Sequence, residues 1–288
     1  MEARALIQQQ LLHWFAAVAR DLPWRRSRDP WEILVSETML QQTQVARVLP
    51  KYLAFLERFP DVGSCGAAPP GEVIRLWDGL GYNRRALALH KAAQRVIEVH
   101  DGVFPSTYDE LLALPGVGPY TARAVAVFAY EQHHAVVDTN VARIVARAVA
   151  GRALDKHEVQ RLADDLVPAG DPWQWNQAML DFGATVCVKR SPNCEACPIA
   201  VSCAWSREGG VDPAIGSAGT SSRQSTFTGS DRQGRGKLIA ALRQRAVRKE
   251  ELAAVMGWAD DVDRAVRVYE GLLADELVVE VDGVLSLP

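Results

Sequence analysis

Leu114-Pro115-Gly116-Val117-Gly118-Pro119-Tyr120-Thr121-Ala122-Arg123-Ala124 is the stretch from which the rest of the chain can be read. Two glycines flank one apolar residue, and an apolar helix follows. Gly116 and Gly118 let the backbone turn tightly and come close to another surface. Pro119 and Thr121 suit a first helical turn, where the N–H that proline lacks would be unpaired anyway. The stretch therefore predicts a helix, a glycine hairpin and a second helix whose first amides point outward. Free amides and the helix dipole together attract phosphate. Such a contact positions nucleic acid without reading its sequence. On these residues alone a plain helix-turn-helix corner fits equally well.

Outward from the hairpin, the whole chain sets the limits. It has 288 residues, 48% of them hydrophobic and with a net charge of −3. That is enough for one large domain or two to three small ones, each with a core. No apolar run has transmembrane length and no basic-plus-apolar leader opens the chain, so a soluble cytoplasmic protein is expected. The net charge argues neither for nor against nucleic acid; its distribution matters more. Arginines and lysines gather at Arg25, Arg26 and Arg28, at Arg84 and Arg85, and at Lys189 and Arg190. Such clusters are more often solvated faces than binding patches.

Helical periodicity runs through most of the chain before the hairpin. Residues 4–20 form an amphipathic helix, which Leu22-Pro23-Trp24-Arg25-Arg26 breaks. Two helices fill 31–59. Between them lies Ser36-Glu37-Thr38-Met39-Leu40-Gln41-Gln42-Thr43-Gln44, a carboxylate and three glutamines beside an apolar face. Residues 71–78 are helical up to the turn Gly79-Leu80-Gly81-Tyr82, and a further helix spans 84–100. The turn presents Tyr82 beside Arg84 and Arg85, a pairing suited to stacking plus phosphate contact. Past the hairpin, Asp138 or Thr139 stands at the N-cap of a helix carrying Val141, Ile144, Val145 and Val149. Helices at 156–167 and 173–185 follow.

Cys65 stands alone as a small apolar residue. The other four cysteines form Cys187-x6-Cys194-x2-Cys197-x5-Cys203. Four thiols so close in a cytoplasmic chain point to metal rather than disulfides. Zinc favours paired C-x-x-C knuckles and only one is present; a [4Fe–4S] cube fits the uneven spacing at least as well. From Glu208 to Arg235 the composition turns to Gly, Ser, Thr and Asp, as in a linker. Three helices and a hairpin turning on Asp282-Gly283 then predict a small winged-helix module. Its third helix carries Asp260, Asp261, Asp263, Arg264, Arg267 and Glu270, a mixture too acidic for a major-groove helix, which favours a structural or protein-contact role.

These motifs together resemble the helix-hairpin-helix DNA glycosylases of the endonuclease III superfamily. Within it, residues 36–44 and Leu80-Gly81-Tyr82 resemble the MutY-type adenine DNA glycosylases. The resemblance covers about residues 5–205. It implies a mainly α, two-lobed core at 1–206. A six-helix lobe at 23–135 holds the hairpin at 114–119, and a cluster lobe takes in 1–22 and 136–206. A linker at 207–230 and the winged-helix-like α+β module at 231–288 follow. It also implies a [4Fe–4S] cluster on Cys187, Cys194, Cys197 and Cys203. Glu37 corresponds to the acid that protonates adenine, Asp138 to the carboxylate facing the sugar cation, and Asn140 to a positioning group. Gln41, Gln42 and Tyr82 correspond to residues that enter the vacated stack of a flipped nucleotide. Gly116, Gly118, Arg84, Lys189 and Arg190 are expected on the DNA backbone. Tyr120 stands where bifunctional relatives carry a Schiff-base lysine, so a glycosylase without strand cleavage is implied.

The expected substrate is mismatched double-stranded DNA, with adenine opposite 8-oxoguanine or guanine, and the expected enzyme is a monomer of the bacterial cytoplasm and nucleoid, with no membrane. A related glycosylase removing thymine from T·G pairs or a deaminated purine is one alternative. An iron–sulfur DNA-binding regulator without enzymatic activity is the other. The usual MutY C-terminal domain resembling a nucleotide hydrolase has no counterpart in the short module at 231–288.

Overall fold

The computed structural model describes residues 2–220 and 226–288, which are mainly helical. The helices up to the hairpin are α1 (Glu2–Val18), α2 (Pro23–Arg26), α3 (Pro30–Leu40), α4 (Val45–Arg58), α5 (Val62–Ala67), α6 (Pro70–Leu76), α7 (Arg84–His100) and α8 (Tyr108–Leu112). After it come α9 (Pro119–Tyr130), α10 (Thr139–Ile144), α11 (Lys156–Leu166), α12 (Pro172–Thr185) and α13 (Ala204–Glu208). The last part holds α14 (Asp231–Gln244), β1 (Val247–Arg248), α15 (Leu252–Met256), α16 (Val262–Ala274), β2 (Val279–Val281) and β3 (Val284–Ser286). Side-chain caps set several starts: Asp61 with Ser64 and Asp155 with Glu158 each form a capping box.

Packing divides the described residues into two compact units. The first takes in those up to Ile33, Ser106–Leu112 and those from Val117 to 220. The second takes in Leu34–Pro105, Ala113–Gly116 and those from 226 on.

The first unit is built around Leu11, Val141, Val145, Trp175, Met179, Phe182 and Ile199. Helix α1 packs on α12, and α10 packs on α12 and α11. Asp181 is 2% exposed and receives Arg25 through two 2.8 Å hydrogen bonds, with Arg20 as a second partner. Arg25 is therefore buried, not part of the solvated face its cluster suggested. Burial would raise the Asp181 carboxyl, and the two guanidiniums outweigh it and hold it below the usual carboxylate range.

The stretch that reads as a linker is fastened to this unit as far as Thr220. Asp212 takes the Arg147 guanidinium at 2.8 and 2.6 Å, and the Ser217 hydroxyl accepts the Leu154 N–H at 3.0 Å. Thr220 is buried, its hydroxyl donating to Ala214 O and Ser217 O. The small polar residues up to Thr220 serve tight packing.

In the second unit Phe55 meets Phe59 and Trp77 edge to face, and α5 lies close on α7, where a Cβ on Gly66 would come within 2.5 Å of Ile97. The C-terminal module is the expected three helices with a small sheet, ordered β1-β3-β2 and antiparallel throughout. Asp282 and Gly283 have φ of 51° and 74°, the left-handed pair that a tight hairpin turn needs. Helix α14 starts six residues before the periodicity at Lys237 suggests, because Gly234 and Gly236 weaken the signal. A Cβ on Gly234 would lie 2.1 Å from the Trp258 ring, so the glycine serves packing.

Candidate active site

The hairpin forms as its residues dictate. Gly116 has φ of 74°, and a Cβ there would meet the Ala88 Cβ at 2.4 Å, so only glycine fits on both counts. Gly118 is the N-cap of α9 and supplies no side-chain cap; a Cβ there would meet nothing within 4 Å. Tyr120 sits half-buried in the first turn of α9.

Asp138 combines two roles that compete on sequence alone. As N-cap of α10 its Oδ1 accepts the Asn140 and Val141 N–H groups, both at 2.8 Å. Its Oδ2 accepts the Asn140 side-chain amide at 2.8 Å. Arg143 fixes that amide in turn, donating to Asn140 Oδ1 at 2.8 Å, to Gly183 O at 2.9 Å and to Cys187 O at 3.2 Å. Asn140 lies so close to α12 that a Cβ on Gly183 would be 2.5 Å from its own Cβ. Burial pushes the Asp138 carboxyl above the usual range, while the Val141 and Asn140 N–H groups and the Arg143 charge draw it back. Arg143 and Gly183 were missed in the sequence. A glycine in the interior of α12 was the available signal.

Cys187, Cys194, Cys197 and Cys203 line one pocket of about 370 Å³, open mouth included, walled by Ala148, Phe182, Val186 and Ile199. Among the described residues no three His, Cys, Asp or Glu side chains are arranged to hold a single metal ion. Four thiols bordering one pocket of that size are a donor set of the kind a multi-atom cluster takes. The Ile199 N–H faces Cys197, and those of Ser206 and Trp205 face Cys203. Arg147 donates to Cys187 Sγ at 3.5 Å and to Val188 O at 2.8 Å, and its guanidinium lies 5.2 Å over the Trp205 ring. Arg147 sits where α10 widens into a π-helical stretch, Val145–Ala150, a local irregularity of a kind frequent at functional sites. Lys189 and Arg190 are exposed, and Ser191 next to them has a positive φ of 50°.

In the second unit Glu37 is buried, 6% exposed, on α3, whose Leu34, Val35 and Met39 are buried too. Gln41 and Gln42 follow the end of this helix. Gln42 and Tyr82 both adopt left-handed φ, 58° and 48°, a cost that clusters at functional sites. Tyr82 is 45% exposed. Arg85, not its neighbour, ties the two segments together. Its Nη1 reaches Thr38 O at 2.6 Å and Gln41 O at 2.8 Å, and its Nη2 reaches Leu80 O at 3.1 Å and Gly81 O at 3.2 Å. Burial lowers its pKa to about 10. Arg84 is 74% exposed and lies 3.5 Å from Asp275. The structure thus gathers Asp138 and Asn140 in one place, the four cysteines in another, and Gln41 with Tyr82 around Arg85.

Residues 35–169 match the model of the HhH-GPD superfamily base excision DNA repair proteins. The chain is 43% identical to the adenine DNA glycosylase of Mycolicibacterium smegmatis over 284 residues, 96% of this chain and 94% of that protein. The chain belongs to the adenine DNA glycosylase family. It is thereby a base-excision DNA glycosylase. The human adenine DNA glycosylase is 40% identical over 67% of the chain, which spans 38% of that longer protein. The M. smegmatis match therefore runs on into the C-terminal module. Among solved structures, a thermostable thymine-DNA glycosylase superposes with a TM-score of 0.67 at 30% identity, over 72% of this chain and 98% of its own. A trapped endonuclease III–DNA covalent intermediate superposes with 0.63 at 25% identity, over 72% and 96%. Members of the adenine DNA glycosylase family thus share this helical frame with glycosylases named for other bases. No helix among the described residues is long and apolar enough to cross a membrane.

Proposed function

We propose that this protein hydrolyses the N-glycosidic bond of adenine mispaired with 8-oxoguanine or guanine in double-stranded DNA. The observation that carries this reading is the Asp138 corner. A capped, hydrogen-bonded carboxylate, raised by burial yet surrounded by donors, is suited to stand beside a cationic sugar without attacking it. Family membership and the name shared by the bacterial and mammalian relatives supply the base.

The mechanism follows from the chain's own residues. The uncapped first turn of α9, with Gly118 clear of any side chain, offers N–H groups to a phosphate. Gln41, Gln42 and Tyr82 enter the stack as the adenine leaves it. Glu37, buried on α3, delivers a proton to the departing purine. Asp138 then stabilises the oxocarbenium-like sugar, with Asn140 holding the carboxylate's direction. Tyr120 has no amine for a Schiff base, so the product is an abasic site in an uncut strand.

Cys187, Cys194, Cys197 and Cys203 would hold a [4Fe–4S] cluster. When bound, that group supplies the covalent tie that fixes the loop bearing Lys189 and Arg190, which are exposed for phosphate contact. The enzyme works as a monomer in the bacterial cytoplasm, on nucleoid DNA.

A second reading, removal of thymine from T·G, is favoured by the likeness to the thymine-DNA glycosylase structure. One experiment separates them: single-turnover reaction with duplexes containing A·8-oxoguanine, A·G, A·C, T·G and hypoxanthine·T, with and without alkali. Product from the adenine duplexes only after alkali supports the proposal. Product from T·G alone overturns adenine specificity. No abasic product from any duplex overturns the catalytic reading, and breakage without alkali overturns the monofunctional one.

A further inference from the structure

The loop Trp77–Asn83 makes three demands on its backbone. Gly79, Gly81 and Tyr82 all have positive φ, at 79°, 70° and 48°. Tyr82, at the tip of this loop, is exposed. Something must hold it for Tyr82 to be aimed. Arg85 holds the inner side through Leu80 O and Gly81 O, and the Trp77 indole donates to Gly81 O at 3.2 Å.

The outer side is held from the C-terminal module. Arg243, near the end of α14, donates through Nε to Ile74 O at 3.1 Å, through Nη1 to Asp78 Oδ1 at 2.9 Å and through Nη2 to Asn83 Oδ1 at 2.8 Å. These partners lie just before the loop, in it and at its far end. The Arg243 side chain is only 9% exposed. A guanidinium that far from water needs its donors satisfied, and its planar fork is what spans separate acceptors. At the other end of α14, Arg232 Nη1 lies 3.3 Å from the Tyr82 hydroxyl. The module is fixed along the same face by Lys91 with Glu276 at 2.9 Å and by the Gly71 N–H on Pro288 O at 2.6 Å.

We propose that α14 is the outer half of the mount for Tyr82, and that Arg243 is a positioning residue for base extrusion, acting through Asn83 and Asp78. The inference rests on the reading of Tyr82 as the residue that enters the stack. It assigns the C-terminal module a task of its own: steadying the tool rather than reading DNA.

The test uses the full chain and a duplex with 2-aminopurine opposite guanine, whose fluorescence rises as the base leaves the stack. Duplex affinity, the fluorescence rise and the single-turnover rate on A·8-oxoguanine are measured for wild type, Tyr82→Ala, Arg243→Ala, Arg243→Lys, Asn83→Ala and the Arg243→Ala/Asn83→Ala pair. Tyr82→Ala is expected to lower the fluorescence rise and the rate. Arg243→Ala should keep affinity within about threefold, while the rise and the rate fall about tenfold, as for a misaimed group. Lysine, lacking the fork, should restore only part. Asn83→Ala leaves α14 itself intact and should reproduce the loss, and the double variant should lose no more than either single one.

If Tyr82→Ala lowers the rise and Arg243→Ala and Asn83→Ala do not, the mount is overturned while the wedge stands. If Tyr82→Ala has no effect, the wedge reading fails and the mount falls with it. Additive losses in the double variant also overturn the proposal.

Discussion

The Asp138 corner and the Tyr82 loop are held in opposite ways. Asp138 is fixed by its immediate neighbours, the N–H groups of Asn140 and Val141 and the Asn140 amide. Tyr82 is exposed and left-handed, and most of its loop's fastenings come from Arg85 and Arg243, the latter more than 150 residues away. In the proposed mechanism a charge that must be right in pKa and direction is built into a helix cap, and a side chain that must move into DNA sits on a loop steadied from outside. The difference implies that damage to the first abolishes chemistry, whereas damage to the second degrades aim.

Asp138→Asn should have the largest effect. Asparagine still caps a helix, so the fold and duplex affinity should hold while excision falls by about 10³-fold or more, read as single-turnover release of adenine. Retained turnover would mean that another carboxylate faces the sugar.

Arg85→Ala comes next. It leaves the carbonyls of Thr38, Gln41, Leu80 and Gly81 without their shared donor, so excision should drop about 10–100-fold and the melting temperature should fall. Arg85→Lys should recover little, because one ammonium does not span both segments. Full recovery would show that charge alone matters.

Gly183→Ala tests the corner from behind. A methyl 2.5 Å from the Asn140 Cβ should cost about 1–3 kcal/mol by thermal or denaturant unfolding. Unchanged stability would show that α12 yields easily there.

The smallest effect is on pH. Excision needs ionised Asp138, whose pKa is raised by burial, so the rate should fall on the acid side above the ordinary aspartate value of about 3.9. Asn140→Ala removes a donor to the ionised form, so the acid limb should move to higher pH in a pH–rate profile. For stability the sign is the reverse of the usual aspartate. A raised folded pKa gives a contribution fully present below the unfolded value and lost as pH rises through the folded one. A limb moving to lower pH in Asn140→Ala would contradict the geometry.

The same contrast explains what the sequence made legible. The hairpin glycines, the N-cap at Asp138, the cysteine spacing and the Asp282-Gly283 turn act over a few residues, so their patterns are local and readable. Arg84 and Arg85 are chemically identical neighbours, and nothing in the sequence says that one turns inward to join two segments while the other faces Asp275. Arg143 and Arg147 reach partners about forty to sixty-five positions away. The π-helical stretch that accommodates Arg147 has no local signature at all. Residues 208–220 read as a tether for a related reason: small polar residues suit both a flexible tether and a packed strap, and the Arg147–Asp212 pair, distant in sequence, holds this part in place.

The packing of α1 on α12 sets an order of events. Arg20 and Asp181, which close this contact, are 161 positions apart. At about 5–20 residues per second of synthesis, α1 leaves the ribosome roughly 8–30 s before its partner helix. For that interval Ile7, Leu11 and Phe15 have no α12 to cover them. Helix α1 thus waits uncovered on this face until α12 has been made, and Asp181 brings the carboxylate that Arg20 and Arg25 then close on.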